Sequence, residues 1–147
     1  MMTNIKNNKS YKQKRREGRI IAFQTLFAYD FNQKSIDELF KWEWLIKKYS
    51  DESLEYAKFL IKGTIENLNI IDNKIKSKLK NWDFNRISNI DKAILRFSIF
   101  SMFFEIDLPE KIIINEAVEI VKNFGTEDSY KFINGILDAL KRSKSTD

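Results

Sequence analysis

Residues that break helices are nearly absent from this chain. Its 147 residues include one Pro and four Gly, which is too little turn material for a β-sandwich or a β-barrel. Lys, Glu, Ile, Leu and Phe recur instead at helical spacing, and 43% of the residues are apolar, which is enough for a hydrophobic core. The sequence therefore predicts an all-α protein that folds as a single domain.

Local signals predict about six or seven helices. Ser88 and Asp91 stand three residues apart, which is the spacing of a capping box. The helix that this box opens runs to about Phe104 and is apolar nearly all round, so we expect other helices to surround it. The first helix is predicted from Lys12, with an apolar stripe at Ile20, Phe23, Phe27 and Phe31. The other helices are predicted over 37–48, over 50–79 as one helix or a pair, from Pro109 to Phe124, and from Thr126.

Two of the glycines are predicted to have structural roles. Gly125 follows the last periodic residue of its helix, as a left-handed C-cap does. Gly135 lies inside the last helix, where Gly costs ~1 kcal/mol relative to Ala. Such a cost indicates close packing against another helix.

The positive charge is concentrated at the amino-terminal end. Seven of the 26 basic residues but only one of the 21 acids lie within the first nineteen positions. Because the nearly neutral remainder can fold and stay soluble by itself, this excess indicates a polyanionic partner, with RNA or DNA ahead of a membrane surface. Helical spacing gathers several of these bases on one face and leaves Glu17 off it. They are Lys12, Arg15, Arg16 and Arg19.

Composition argues against catalysis. The chain has no His and no Cys, which removes the usual general base, the thiolate nucleophile and the common zinc sites. Phosphate-binding glycine motifs are missing as well. The adjacent acids Asp51-Glu52 and Glu127-Asp128 stand at helix starts, where acids favour capping. We therefore expect a binding protein that is not an enzyme and that needs no metal or cofactor.

Arginines and aromatic residues together fit single-stranded RNA. Guanidinium groups bind phosphate, and neighbouring rings stack on unpaired bases. The candidate rings are Tyr11, Phe27, Tyr29 and Phe132.

No segment is predicted to span a membrane. The densest apolar stretch, 94–106, contains Arg96 and is shorter than the ~20 residues of a spanning helix. The lack of Cys suits a reducing cytoplasm, where we expect the protein to act.

Several motifs carry a resemblance to one known family. They are Arg15-Arg16-Glu17-Gly18-Arg19 with Ala22-Phe23-Gln24-Thr25-Leu26-Phe27, Ile90-Asp-Lys-Ala-Ile-Leu-Arg96, Ile114-Asn-Glu-Ala-Val-Glu-Ile120, Lys122-Asn-Phe-Gly125 and Lys131-Phe-Ile-Asn-Gly-Ile-Leu-Asp138. Over about residues 14–140 the chain resembles the NusB family of bacterial transcription antitermination factors. Residues 33–82 carry no motif that aligns with that family.

The resemblance implies two small helical bundles packed together. It also implies binding to the boxA element of nascent single-stranded RNA together with NusE, a ribosomal protein of the small subunit. Action on RNA polymerase elongation at ribosomal RNA operons, in a complex with NusA and NusG, would follow. Whether the protein forms a homodimer stays open. On this reading, residues 1–11 form a mobile basic extension, 12–141 the RNA-binding domain and 142–147 a polar tail.

Site residues are carried over from the family by motif. Glu17 within the basic cluster and Phe27 in place of the commoner tyrosine depart from the family pattern. Asp91 is also the acid of the predicted cap, and Arg96 has the alternative of pairing with a neighbouring carboxylate. The implied RNA-binding residues are Lys12, Lys14, Arg15, Arg16, Arg19, Phe27, Lys131 and Phe132, and those for RNA or a partner are Asp91, Arg96 and Asp128.

Two other functions stay open at this point. One is a protein-binding or self-associating helical adaptor whose basic end meets an acidic partner. The other is a stand-alone relative of the RNA-binding domain of a ribosomal RNA cytosine methyltransferase. The second is disfavoured, because the chain has neither the length for a Rossmann-like catalytic domain nor a cysteine nucleophile.

Overall fold

The computed structural model is helical throughout, as the shortage of helix breakers predicts. It describes residues 2–32, 35–42, 48–80 and 83–146. These residues form seven α-helices and one 3-10 helix, with no strand among them. The chain divides into two compact units, one up to Lys62 and one from Gly63 onward. The helices are α1 (Met2–Asn32), α2 (Ile36–Leu39), α3 (Asp51–Glu66), α4 (Leu68–Ser77), the 3-10 helix Phe84–Arg86, α5 (Asn89–Phe104), α6 (Glu110–Phe124) and α7 (Glu127–Thr146).

Helix boundaries depart from the predictions mainly in the first half of the chain. Helix α1 begins at Met2, ten residues before the predicted start. Of the helix predicted over 37–48, the described residues form only the four-residue α2, and Ile46, a predicted inward residue, lies outside the described residues. The segment 50–79 is a pair of helices, because Asn67 interrupts it and donates from Nδ2 to the carbonyl of Gly63 at 2.8 Å. The predicted mobility of residues 1–11 remains a prediction.

Helix α5 is the centre of the second unit. The Ser88 hydroxyl accepts from the backbone N–H of Asp91 at 3.1 Å, so this half of the predicted capping box is confirmed. Every residue from Ala93 to Met102 is buried, and α4, α6 and α7 pack around the helix. A helix without a polar face has to be enclosed in this way. The large apolar side chains among them, such as Ile94, Leu95 and Phe97, each contribute about 1.5–3 kcal/mol to folding.

The buried face of α1 is not the predicted stripe. Phe23 is buried, but Ile20 and Phe27 are only half-buried and Phe31 is 61% exposed. Expecting Phe31 in the core was therefore wrong. The residues that face inward are spaced three and four apart on a neighbouring line of the helix, and they are Gly18, Ile21, Ala22, Thr25 and Leu26.

A tryptophan is fixed against α1 after α2. Trp42 is 8% exposed, and its indole Nε1 donates to Thr25 Oγ1 at 3.0 Å. Its φ is +44°, a left-handed conformation that is strained for a bulky residue. The buried hydrogen bond and the burial of the indole ring offset that strain.

Close helix contact occurs at Gly18, and the predicted roles of Gly125 and Gly135 are wrong. A Cβ on Gly18 would lie 2.9 Å from Tyr56 Cδ2 and 3.0 Å from the Ser53 carbonyl oxygen, so α1 and α3 approach too closely for a larger residue. Among the described residues, nothing lies within 4 Å of the place that a Cβ on Gly135 would take. Gly125 has an extended φ of −111° and is not a left-handed cap.

Alanine at Gly18 and alanine at Gly135 should have opposite effects on stability. Gly18→Ala forces α3 away from α1 and should lower the free energy of unfolding by about 1–3 kcal/mol. Gly135→Ala meets open space and should raise it by up to ~1 kcal/mol, because Ala is the better helix former. Urea unfolding followed by circular dichroism measures both changes. A stabilised Gly18→Ala protein would contradict the close approach of the helices.

Candidate nucleic-acid interface

The bases of the basic face, Lys12, Arg15, Arg16 and Arg19, differ sharply in exposure. Lys12 and Arg16 are exposed, and Arg15 is half-buried. Arg19 is only 6% exposed, although its helical angle predicts it on the same face. The difference arises because α3 covers the end of the face nearest Gly18. Their roles in RNA binding remain predictions, and the geometry suits Lys12, Arg15 and Arg16 for contact with a large polyanion.

Two tyrosines stack on Arg15. The centre of its guanidinium lies 4.8 Å from the centroid of the Tyr11 ring and 4.0 Å from that of the Tyr56 ring. Such cation–π contacts attract the guanidinium to the electron-rich faces of the rings. Two aromatic side chains thus restrict where the Arg15 guanidinium lies.

The acid within the basic cluster is bound to α3. Glu17 Oε2 accepts from the Ser53 hydroxyl at 3.1 Å, and Oε1 accepts from Gln13 Nε2 at 3.3 Å. Ser53 is in the first turn of α3, where the helix dipole favours a negative charge. The negative charge of Glu17 is therefore satisfied within the protein.

Lys14 forms an ion pair with α3. Its Nζ lies 2.5 Å from Glu52 Oε2, and 71% of the Glu52 side chain is exposed. Pairs this exposed contribute about 0–1 kcal/mol to stability. A phosphate can therefore replace the carboxylate at little cost, and the predicted RNA role of Lys14 stays open.

Aromatic rings lie further along α1. The half-buried Phe27 meets Phe31 edge to face, with ring centroids 5.0 Å apart. Since Phe31 is largely exposed, it offers a stacking surface that the sequence assigned to the core. The stacking role of Phe27 itself remains a prediction.

A cleft of about 790 Å³ in the second unit gathers four of the other predicted residues. It lies at the amino-terminal ends of α5 and α7, and Asp128 and Lys131 are exposed there, whereas Phe132 is half-buried. The start of α7 is fixed by Thr126, whose hydroxyl accepts from the backbone N–H of Ser129 at 3.1 Å. Sequence reasoning did not single out two lining residues, Arg86 and Phe124. The predicted residues that line the cleft are Asp91, Asp128, Lys131 and Phe132.

Asp91 is the buried acid of this cleft. It is 8% exposed, and within the described part of the chain its Oδ1 has no hydrogen-bond partner. Burial raises the pKa of the Asp91 carboxyl above its ordinary value, and the hydroxyls of Ser129 and Ser88 offset part of that rise. The carboxylate is thus a buried acceptor with hydrogen-bonding capacity left for a ligand.

Arg96 lies in an ion pair. Its Nε and Nη2 donate to Asp72 Oδ1 and Oδ2, each at 3.0 Å, and its side chain is 7% exposed. This is the alternative that the sequence left open for Arg96. Arg96 is also absent from the lining of the cleft. An RNA or partner role for it remains a prediction that this buried pair disfavours, since breaking such a pair is costly.

The described residues contain neither a membrane-spanning helix nor a metal-binding cluster. None of their helices combines the length and apolar character that crossing a bilayer requires. Within the same residues, no group of three or more acidic side chains is arranged to hold a metal ion.

Replacing the Asp91 carboxyl by an amide should change how stability depends on pH. Because the folded protein binds this proton more tightly than the unfolded chain, stability falls as pH rises from the unfolded pKa to the folded one. Asp91→Asn should therefore be more stable than the parent near neutral pH, and the difference should shrink as pH falls below the folded pKa. Urea unfolding at several pH values measures it.

The exposed Asp107 provides the control for this change. Asp107→Asn makes the same chemical change at the protein surface, and the stability of Asp91→Asn is compared with it at each pH. If Asp91→Asn is instead less stable near neutral pH, the ionised carboxylate is a favourable group in the fold and its pKa is not raised.

Comparison with known proteins gives consistent matches along most of the chain. The model of the NusB family matches residues 16–142. The transcription antitermination protein NusB of Treponema denticola is 41% identical over 133 residues, which span 86% of this chain and 95% of that protein. NusB of T. maritima superposes with a TM-score of 0.79 at 38% identity, covering 87% of this chain and 90% of that one. A crystal structure of the antitermination factors NusB and NusE in complex with double-stranded RNA gives 0.80 at 27% identity, covering 89% and 98%.

Proposed function

This chain belongs to the NusB family of transcription antitermination proteins, and we propose that it binds boxA-type single-stranded RNA together with NusE. The observation that carries the proposal is the solved complex of NusB and NusE with double-stranded RNA, which matches this chain over 89% of its length. It supports NusE and RNA as the partners, while the choice of single-stranded RNA depends on the arginines and aromatic rings of this chain. The protein is a transcription factor and not an enzyme. By binding RNA and NusE it supports elongation by RNA polymerase on ribosomal RNA operons.

Charge and stacking support single-stranded RNA as the ligand. The exposed guanidinium of Arg16, the stacked guanidinium of Arg15 and Lys12 supply phosphate contacts. Phe27 and Phe31 on α1, and Phe132 in the cleft, supply rings for unpaired bases. Duplex RNA offers no free base faces to such rings, whereas a single strand does.

Further partners follow from the same proposal. NusA, NusG and RNA polymerase are the proteins with which an antitermination factor of this family would act, in the cytoplasm where transcripts are made. A homodimer would be a separate state of the protein. The methyltransferase alternative loses support, because the Treponema relative is covered over 95% of its own length and so has no additional catalytic domain.

Removing the two phosphate-binding arginines should weaken RNA binding and its salt dependence together. Arg15→Ala/Arg16→Ala should lower affinity for a boxA-type RNA, and the slope of log affinity against log salt should fall by about 0.7 for each lost phosphate contact. Fluorescence anisotropy at several salt concentrations measures both. Lys111→Ala/Arg142→Ala removes two exposed positive charges elsewhere and should change neither quantity much.

The same titration with NusE present separates the proposed functions. RNA should bind weakly to the protein alone and more tightly when NusE is added. If NusE binds while RNA adds nothing to the complex, the protein is a protein-binding adaptor. An unchanged affinity and salt slope in the arginine variant would exclude the basic face as the RNA site.

A further inference from the structure

We propose that Tyr56 is a positioning residue for RNA binding, and that Arg19 acts through Tyr56 rather than on the RNA. This inference rests on the proposed function, because it concerns how Arg15 is prepared to meet RNA. Tyr56 belongs to α3, outside every motif that identifies the family, and helical spacing assigns it no role beyond packing.

Tyr56 contacts both Arg15 and Arg19. The Arg15 guanidinium centre is 4.0 Å from the Tyr56 ring centroid, and that of Arg19 is 5.4 Å from it. Arg19 Nη2 also donates to the Tyr56 hydroxyl at 3.5 Å. Tyr56 is 5% exposed and Arg19 is 6% exposed. The Tyr56 ring therefore contacts both a buried arginine and a half-buried one.

Gly18 is what allows Tyr56 to reach this place. A Cβ at that position would lie 2.9 Å from Cδ2 and 3.2 Å from Cβ of Tyr56. Because Gly has no side chain, α3 comes close enough to α1 for the ring to lie beside the basic face. Phe59, one turn along α3, stacks on Tyr56 with centroids 6.1 Å apart and restricts it further.

Fixing Arg15 in this way should favour binding. A long side chain loses rotamer freedom when it holds a phosphate, and a side chain that is already ordered loses less. Tyr11 stacks on Arg15 as well, at 4.8 Å, but it is 57% exposed and so is the weaker constraint. Tyr56 is consequently the group on which the orientation of Arg15 depends.

A double-mutant cycle on RNA affinity tests the inference. The proteins are the parent, Tyr56→Leu, Arg15→Ala and the double variant, titrated with a boxA-type RNA in the presence of NusE. Tyr56→Leu should weaken binding about 2- to 5-fold, the range expected for a partly exposed cation–π contact. Arg15→Ala should cost much less in the Tyr56→Leu background than in the parent, because the two residues act together.

Two further variants separate positioning from packing. Tyr56→Phe keeps the ring and should restore most of the affinity, whereas Phe104→Leu removes an exposed aromatic ring of α5 that stacks on Phe100 and should leave affinity unchanged. Circular dichroism confirms that each variant is folded before titration. Independent, additive losses from Tyr56→Leu and Arg15→Ala would overturn the inference while RNA binding by the parent stands. Failure of the parent to bind RNA with NusE would overturn the proposed function itself.

Discussion

The close approach of α1 and α3 at Gly18 determines what the basic end of this protein can do. It brings Ser53 to the carboxylate of Glu17 and Tyr56 to the guanidinium groups of Arg15 and Arg19. Without this close approach, the charged side chains of α1 would be solvated and mobile. Because of it, Arg19 is buried and supports its neighbours, whereas Arg15 is an ordered group at the surface.

Electrostatics and burial together determine which of these charged side chains can contact a ligand. An arginine at 6% exposure, such as Arg19, cannot reach a phosphate without leaving its packing, whereas the exposed Arg16 and Lys12 meet no such cost. In the second unit, Arg96 is likewise a buried partner of Asp72, at 3.0 Å. Asp91 differs, because its Oδ1 finds no partner among the described residues and its carboxyl lines an open cleft. A count of charges along the sequence treats all of these groups alike.

Features that depend on neighbouring residues in the chain could be predicted from the sequence. The Ser88 cap, the enclosed helix α5 and the helix opened at Thr126 all follow from patterns within a few residues, and the structure confirms them. Features that depend on a second helix could not. In the sequence Gly135 is typical of a packing glycine, yet no described residue lies within 4 Å of its Cβ position, and Gly18 gains its role only from the position of α3. The surroundings of Tyr56 and Phe31 could not be predicted for the same reason, because helical periodicity does not show which side of α1 is covered by a helix that is distant in the sequence.

Arginine side-chain NMR tests the central claim most directly. With nitrogen-15-labelled protein, the Nε–H signals of individual arginines can be followed while boxA-type RNA and NusE are added. The signals of Arg15 and Arg16 should shift in proportion to the RNA bound, and the signal of Arg142, on α7, should not change. RNA binding that leaves the Arg15 and Arg16 signals unmoved would contradict it.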